Sequence, residues 1–391
     1  MTKTNSLSFL SVLIIMLCSC KKEKVFTKEI IKTEAISSIK YAKGFDIQYF
    51  KDYKKLIIKH PYKNSNEVFE YVLLGKNTDT IVDFKKAPIR IPIQKMVVTS
   101  TTHIPMIELL EEEKSLIGFA HTQYVSSKKT RQLIDAGKIK EIGKESSLNT
   151  EILLNLQPEL VVGYSVSSTD KTLNTVQKAG IPVIYNGDWL EETPLGRAEW
   201  IKFFGVLFDK EKKAASIFTS IEKNYVEARK IALNTNTQPT ILSGAMMSKD
   251  IWSLPAGESF VATFLKDANL DYLWKNTQGK GSLSLSFESV LDKAQDADFW
   301  IAPAYFSSKE QLLKSSKHYA KFKAFKNDNI FTPSTKKGKT GGVIYYELAP
   351  TRPDLVLKDL IKITNPSLLP NYELTFFERM NYTENSLRGN Q

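Results

Sequence analysis

Between Asp209 and Asn234 no glycine or proline occurs, and apolar residues recur at Ala214, Ile217, Phe218, Ile221, Tyr225, Ala228 and Ala232. Steps of three and four keep those side chains on one face of an α-helix. The face persists for ~20 residues, or ~30 Å at about 1.5 Å per residue. The spacing therefore predicts one unbroken helix over residues 209–234, which divides the chain into what comes before the rod and what comes after it.

Both sides show the same rhythm. Before the rod, short apolar strands at Met96-Val97-Val98, Ser115 to Phe119, Leu160 to Gly163 and Ile181 to Tyr185 alternate with helical stretches through Ile107, Lys129 to Ala136, Glu151 to Leu156 and Leu173 to Ala179. After it come the strands Thr240-Ile241-Leu242 and Phe299-Trp300-Ile301, with helices expected at Phe260 to Ala268, Phe287 to Ala294, Leu355 to Ile363 and Tyr372 to Met380. Strands separated by helices imply βαβ units and mostly parallel sheets. The expected class is α/β: two Rossmann-like lobes, 95–208 and 235–391, joined by a single long α-helix. Residues 34–94 differ, alternating apolar and polar as in Phe45-Asp46-Ile47-Gln48-Tyr49, and read as antiparallel strands of a small β extension packed on the first lobe.

The two cysteines, Cys18 and Cys20, both lie near the N-terminus, so the body can hold no disulfide and no thiolate metal site. Lys3 and the apolar run Leu7 to Leu17 have the form of a secretory signal, too short to span a bilayer. Leu17-Cys18-Ser19-Cys20 resembles a bacterial lipobox, which implies cleavage after residue 19 and lipidation of Cys20. Residues 20–33 then read as a charged tether, in a protein lipid-anchored to a bacterial membrane and facing the periplasm. A formal charge of +11, from 54 basic and 43 acidic residues, suits an anionic ligand or membrane surface. The basic residues are spread along the chain without a nucleic-acid-binding signature, so no nucleic-acid partner is expected.

Several segments resemble the class III periplasmic binding proteins of ABC importers, which carry ferric siderophores, haem and cobalamin. They are Leu148 to Val162, with its closing Leu156-Gln157-Pro158-Glu159-Leu160-Val161-Val162, then Asp267 to Leu270, Leu285 to Leu291 and Ala297 to Ile301. Thr193-Pro194-Leu195-Gly196-Arg197-Ala198-Glu199-Trp200 resembles a stretch of lipoprotein members from Bacteroidetes-type bacteria. The resemblance spans about residues 90 to 380. It implies a monomeric, non-enzymatic receptor without a cofactor, working with a permease and an ATPase on separate chains. It also implies that Glu151 and Glu288 dock on the permease, although a glutamate in a first helical turn is also stabilised by the helix dipole alone.

Loops at the carboxyl ends of the strands are the expected binding edge. They carry the candidate ligand-binding residues Tyr124, Tyr164, Trp189, Trp252, Tyr305 and Tyr345, with Phe306 and Tyr346 beside them. Arg352 is the basic candidate, with Lys128, Lys129, Arg131 and Lys249 as further cations. Aromatic walls and positive charge together favour a ferric siderophore, with cobalamin next and haem third, an axial ligand coming from Tyr345 or His103. A divalent-metal receptor would need more ligands than His103 and His121 supply. A cleft hydrolase or chelatase has no supporting motif, since neither a Gly-x-Ser-x-Gly elbow nor a P-loop occurs.

Overall fold

The structure, a computed structural model, describes residues 38–78, 87–144, 147–164, 171–235 and 237–382. The expected signal segment, Cys20 and the tether lie outside the described residues. The extension is a four-stranded sheet of β1 (Phe45–Tyr49), β2 (Lys54–Ile58), β3 (Phe69–Gly75) and β4 (Ile89–Ile91). The first three pair antiparallel as expected, but β4 lies parallel to β3, because residues 76–88 separate the two strands and no tight hairpin joins them. Its inward residues Phe45, Leu56, Ile58 and Leu73 share one apolar cluster with the first lobe.

The first lobe contains β5 (Met96–Val98), α1 (His103–Leu109), β6 (Leu116–Phe119), α2 (Lys128–Asp135) and β7 (Lys140–Glu141). A short pair, β8 (Gly143–Lys144) and β9 (Ser147–Leu148), leads to α3 (Thr150–Leu156), β10 (Leu160–Gly163), α4 (Lys171–Lys178), β11 (Val183–Tyr185), α5 (Pro194–Glu199) and α6 (Ile201–Leu207). Its sheet is parallel throughout, in the order β11-β10-β5-β6-β7. Along each strand successive side chains enter opposite cores: Met96 and Val98 one cluster, Val97 the other. A sheet covered on both faces needs apolar residues at every position, which is why these strands read as unbroken apolar runs.

The rod is α7 (Glu211–Ala232), 22 residues long. Its buried face is divided: Ala214, Phe218 and Ile221 belong to the first lobe's cluster, and Tyr225, Ala228 and Ala232 to the second lobe's. The second lobe follows with β12 (Thr240–Ser243), β13 (Ala245–Ser248), β14 (Ile251–Pro255), α8 (Phe260–Asp267), β15 (Asp271–Tyr272), β16 (Ser282–Ser286), α9 (Phe287–Ala294) and β17 (Phe299–Ile301). It ends with α10 (Lys309–Ser315), α11 (Lys323–Lys326), β18 (Ile330–Thr332), α12 (Ile344–Leu348), α13 (Pro353–Thr364) and β19 (Glu378–Arg379). Its main sheet runs β15-β12-β17-β18-β19, antiparallel only at β19. The helix expected at residues 372–380 is absent. Leu374, Phe377 and Met380 have helical spacing, but the buried carboxylate of Asp359 accepts the backbone N–H groups of Thr375, Phe376 and Phe377. With those donors taken, the segment stays extended and pairs with β18.

Two carboxylates fasten the extension. Glu199, fully buried, accepts N–H bonds from Lys40, Tyr41 and Ala42 and the ammonium of Lys202 at 2.7 Å. Glu191 does the same for Lys43, Gly44 and the indole of Trp200. A third buried carboxylate fastens the lobes to each other. Glu347 of α12 accepts the N–H groups of Ser126 at 2.7 Å and Ser127 at 2.8 Å, just before α2. The loop preceding α12 lies flat on the first lobe: a Cβ on Gly338 would fall 2.5 Å from Ser126 Cα, and one on Gly342 2.1 Å from Tyr124 O. Only glycine permits that approach.

Replacing Glu199 with alanine removes the charge partner of Lys202, which keeps only Ser38 O, and the acceptor of three part-buried N–H groups. Glu199→Ala should lower stability by ~3–5 kcal/mol in urea unfolding, and a loss under ~1 kcal/mol would show that the clasp is not structural. Burial raises the Glu347 pKa to about 7, with Glu108 of α1 adding repulsion, against the two N–H donors. A carboxyl whose pKa is raised on folding destabilises the fold once ionised, and regains stability as pH falls from about 7 toward its ordinary value of 4.5. The melting temperature of Glu347→Gln minus that of the native chain should therefore be higher by ~2–4 °C at pH ~8 than at pH ~5. A difference independent of pH would contradict the raised pKa.

Candidate functional site

Each sheet has one place where the chain reverses its direction of travel across the strands. In the first lobe it lies between β5 and β10, and in the second between β12 and β17. Loops leaving such neighbours diverge and open a crevice at the carboxyl end of the sheet. Thr99 and Tyr164 follow β5 and β10, and Thr99 Oγ1 accepts the Tyr164 N–H at 3.1 Å. Gly244 and Ala302 follow β12 and β17, and the Gly244 N–H reaches Ala302 O at 3.3 Å. The backbone is strained here, with Ala302 and Ala304 both left-handed at φ 54° and 48°. Such conformations cost about 1–3 kcal/mol each and concentrate at functional sites. Gly244 is also left-handed, and a Cβ there would meet Ser253 O at 1.9 Å.

In the second lobe this edge opens into a cavity of about 310 Å³ lined by Gly244, Met247, Tyr305, Tyr345 and Tyr346 among others. Tyr305 is 71% exposed, and its ring lies 6.2 Å from that of Tyr346. Burial lifts the Tyr346 phenol to about 12, so it stays protonated and can donate as well as accept. Across the first lobe's edge Tyr164 and Trp189 meet edge to face at 6.0 Å, and the buried Trp189 Nε1 has no hydrogen-bond partner among the described residues. Tyr124 is 54% exposed where the Gly342 loop meets the first lobe.

Two expected ligand residues are elsewhere. Trp252 is fully buried on β14, because residues 245–255 form a hairpin that β16 extends, not a cleft loop. Its indole packs 5.3 Å from Trp300 and donates to Ser243 O at 2.9 Å, which makes it core. Arg352 is neutralised by the buried Asp354, with paired bonds of 2.9 and 2.8 Å. Among the other cations considered, Lys129 pairs with Glu113, Arg131 with Asp135, and Lys249 sits exposed beside the hairpin turn.

The positive charge at the cleft comes from residues outside that set. A second cavity, of about 580 Å³, abuts the first: Phe260 and Gly281 line it, while their neighbours Val261 and Ser282 line the tyrosine cavity. Its cations are Lys43, Lys63, Arg197 and Lys280. Arg197 joins the lobes. It donates to Trp189 O at 2.9 Å and Glu191 O at 3.1 Å, and its guanidinium lies 3.7 Å from the centre of the Phe260 ring in the second lobe. The octapeptide at 193–200 was the available signal: Thr193 caps α5, Pro194 opens it, Arg197 joins the lobes, Glu199 clasps the extension and Trp200 packs on Phe45.

His103 is fully buried against Phe204, 5.4 Å away, and burial lowers its pKa, so it is a neutral core residue. Among the described residues no three His, Cys, Asp or Glu side chains gather as a metal site. Nor is any helix there long and apolar enough to cross a membrane.

Comparison with known proteins agrees with this architecture. Residues 96–334, well over half of the chain, match the family described as periplasmic binding protein. An uncharacterized lipoprotein of Methanocaldococcus jannaschii is 26% identical over 388 residues, covering 93% of this chain and 90% of the relative. A possible iron-binding, periplasmic solute-binding protein of Staphylococcus epidermidis is similar in structure, with TM-score 0.55 and 18% identity over 70% of this chain and 100% of the other. So is a periplasmic haem-binding protein of Pseudomonas aeruginosa, with TM-score 0.55 and 16% identity over 74% and 99%. The chain belongs to the periplasmic binding protein family, whose members bind solutes and are not enzymes.

Proposed function

We propose that this protein is a lipid-anchored, extracytoplasmic receptor that holds a metal complex between its lobes and delivers it to the permease of an ABC importer. A ferric siderophore fits best. The observation that carries this reading is the pair of abutting cavities, one walled by Tyr305, Tyr345 and Tyr346 and the other bearing Lys43, Lys63, Arg197 and Lys280. Phenol-edged aromatic walls suit planar catecholate rings, and ammonium and guanidinium groups suit their negative charge. Cobalamin would use the aromatic wall but not the cations. Haem loses one of its two suggested axial ligands, since His103 lies in the core.

The match to the family and the lipoprotein relative support the location, and Cys20 is the residue that would carry the lipid. Glu151 and Glu288 both stand exposed in the first turns of α3 and α9, behind side-chain caps from Asn149 and Ser286. Neither has an ion pair among the described residues, which leaves both carboxylates available to arginines of a permease. The rod and the contact through Glu347 favour a closure of a few degrees over a wide hinge.

Titrating the purified protein with iron(III) tris-catecholate, cyanocobalamin and haemin, followed by tryptophan fluorescence, should give tight, saturable, reversible binding of the first. Failure to bind any of the three would overturn the receptor reading. In cells, Glu151→Lys with Glu288→Lys should abolish uptake while leaving the Kd for the iron complex within about twofold, as expected of a docking contact. Uptake surviving the double reversal would remove these glutamates from docking.

A further inference from the structure

The larger cavity has an unexpected wall. Its lining includes His60, Tyr62, Lys63, Asn64, Ser65 and Asn66, all from the β2–β3 connection of the extension. That connection is a built loop. The Tyr62 hydroxyl bonds Glu67, His60 Nδ1 lies 3.2 Å from Ser65 O, the Ser65 N–H meets Tyr62 O at 3.2 Å, and Asn64 takes a left-handed turn at φ 61°. It is pressed against the cleft edge of the first lobe: a Cβ on Gly187, two residues after β11, would fall 2.5 Å from His60 O. Gly187 directly precedes Asp188 and Trp189, so the loop is fixed to the segment that carries the cleft's own aromatic.

The charge balance of this compartment is positive. The Glu191 carboxylate is turned to the backbone of Lys43 and Gly44 and to the Trp200 indole. Glu192 is shared by two ammonium groups, Lys43 at 3.4 Å and Lys280. Lys63 is exposed and has no ion pair among the described residues, and Arg197 is held on neutral carbonyls and a ring. Lys43, Lys63, Arg197 and Lys280 thus line this cavity against Glu191 and Glu192, and its lining adjoins that of the tyrosine-walled cavity at Phe260–Val261 and Gly281–Ser282. Clustered charge of one sign in a cleft concentrates ligands of the opposite sign and speeds their capture.

We infer that residues 60–66 form a third wall of the ligand compartment, and that the annex they enclose takes the anionic group of the bound complex, a catecholate or carboxylate oxygen, between Lys63, Lys280 and Arg197. This rests on the reading of the chain as a metal-complex receptor. It gives the extension a role in choosing the ligand, in addition to its place in the first lobe's core.

The test compares two iron(III) complexes on the intact mature chain: a trianionic tris-catecholate and an electrically neutral trihydroxamate. Lys63→Gln with Lys280→Gln should weaken the tris-catecholate by about tenfold or more and flatten its salt dependence, while the neutral complex stays within about twofold. Hydrogen exchange of residues 60–66 should slow on adding tris-catecholate to the native chain. Equal loss for both complexes, no loss for either, or an unprotected loop overturns the annex and leaves the receptor standing. Binding of the neutral complex alone also overturns the anionic annex. If the native chain binds neither complex, nor cyanocobalamin, nor haemin, the receptor reading and the annex fall together. Melting temperatures within ~2 °C of the native chain verify that the variants are folded.

Discussion

Bending α7 would disturb both lobes at once, because its single apolar face is built into two cores. Phe218 and Ile221 are part of the first lobe's cluster, and one turn later Tyr225 and Ala228 are part of the second's. A kink between them would break backbone hydrogen bonds and expose side chains on either side, each worth about 1.5–3 kcal/mol when a large one is fully buried. The helix is therefore a strut whose ends are embedded, and it fixes how the two sheet edges present their loops. The cleft depends on that: the tyrosines follow β17 or sit on α12, Tyr164 follows β10, and the strut, with the contacts of Arg197 and Glu347, joins the lobes that carry them.

Where apolar packing sets the distance between lobes, buried carboxylates set the details. Glu191, Glu199 and Glu347 each accept backbone N–H groups from a segment distant in sequence. A carboxylate satisfied in this way fixes the position of two or three consecutive residues, which a methyl contact cannot do. Two of them hold the start of the extension against α5, and the third holds α12 against the approach to α2. Gly338 and Gly342 make the last contact possible, since any side chain there would collide with first-lobe backbone. The cleft is thus held by the strut, and at one end by this polar contact.

The strut was legible because its signal is local: an uninterrupted 3.6-residue period with no breaker. The parallel strands were legible for a similar reason, as short apolar runs between amphipathic stretches. Misreadings arose where local pattern and tertiary environment diverge. Leu374, Phe377 and Met380 mimic a helix, but Asp359 captures the amides a helix would use. Trp252 looked like a cleft aromatic because it follows β12 closely. The alternation of Trp252 and Leu254, both buried on β14, was the period-two signal of a strand. Arg352 offered a charge, yet Asp354, two residues on, already neutralised it. The contact of Glu347 with Ser126 joins positions 221 residues apart, and no periodicity encodes such a pairing. Arg197 lay inside the conspicuous octapeptide, but its stacking on Phe260 depends on the strut having brought the second lobe there.

With the strut embedded at both ends and Glu347 holding the lobes together, the parts left free to adapt are side chains. Tyr305 and Tyr124 are largely exposed, and Lys63 and Lys280 stand on flexible stems. Rotamer changes of such groups occur in nanoseconds or less, whereas a lobe rotation would first have to break the polar contact and strain the helix. On the proposed receptor reading, discrimination between ligands resides in what lines the compartment and not in how far it closes. A tyrosine wall accepts any flat apolar surface of suitable size, so it selects weakly by itself. Selection becomes sharper when a charged group must also be accommodated, because an unpaired buried charge costs several kcal/mol. In this chain the cations that can impose that requirement line the cavity that the extension helps to wall, whose lining adjoins that of the tyrosine cavity at Phe260–Val261 and Gly281–Ser282.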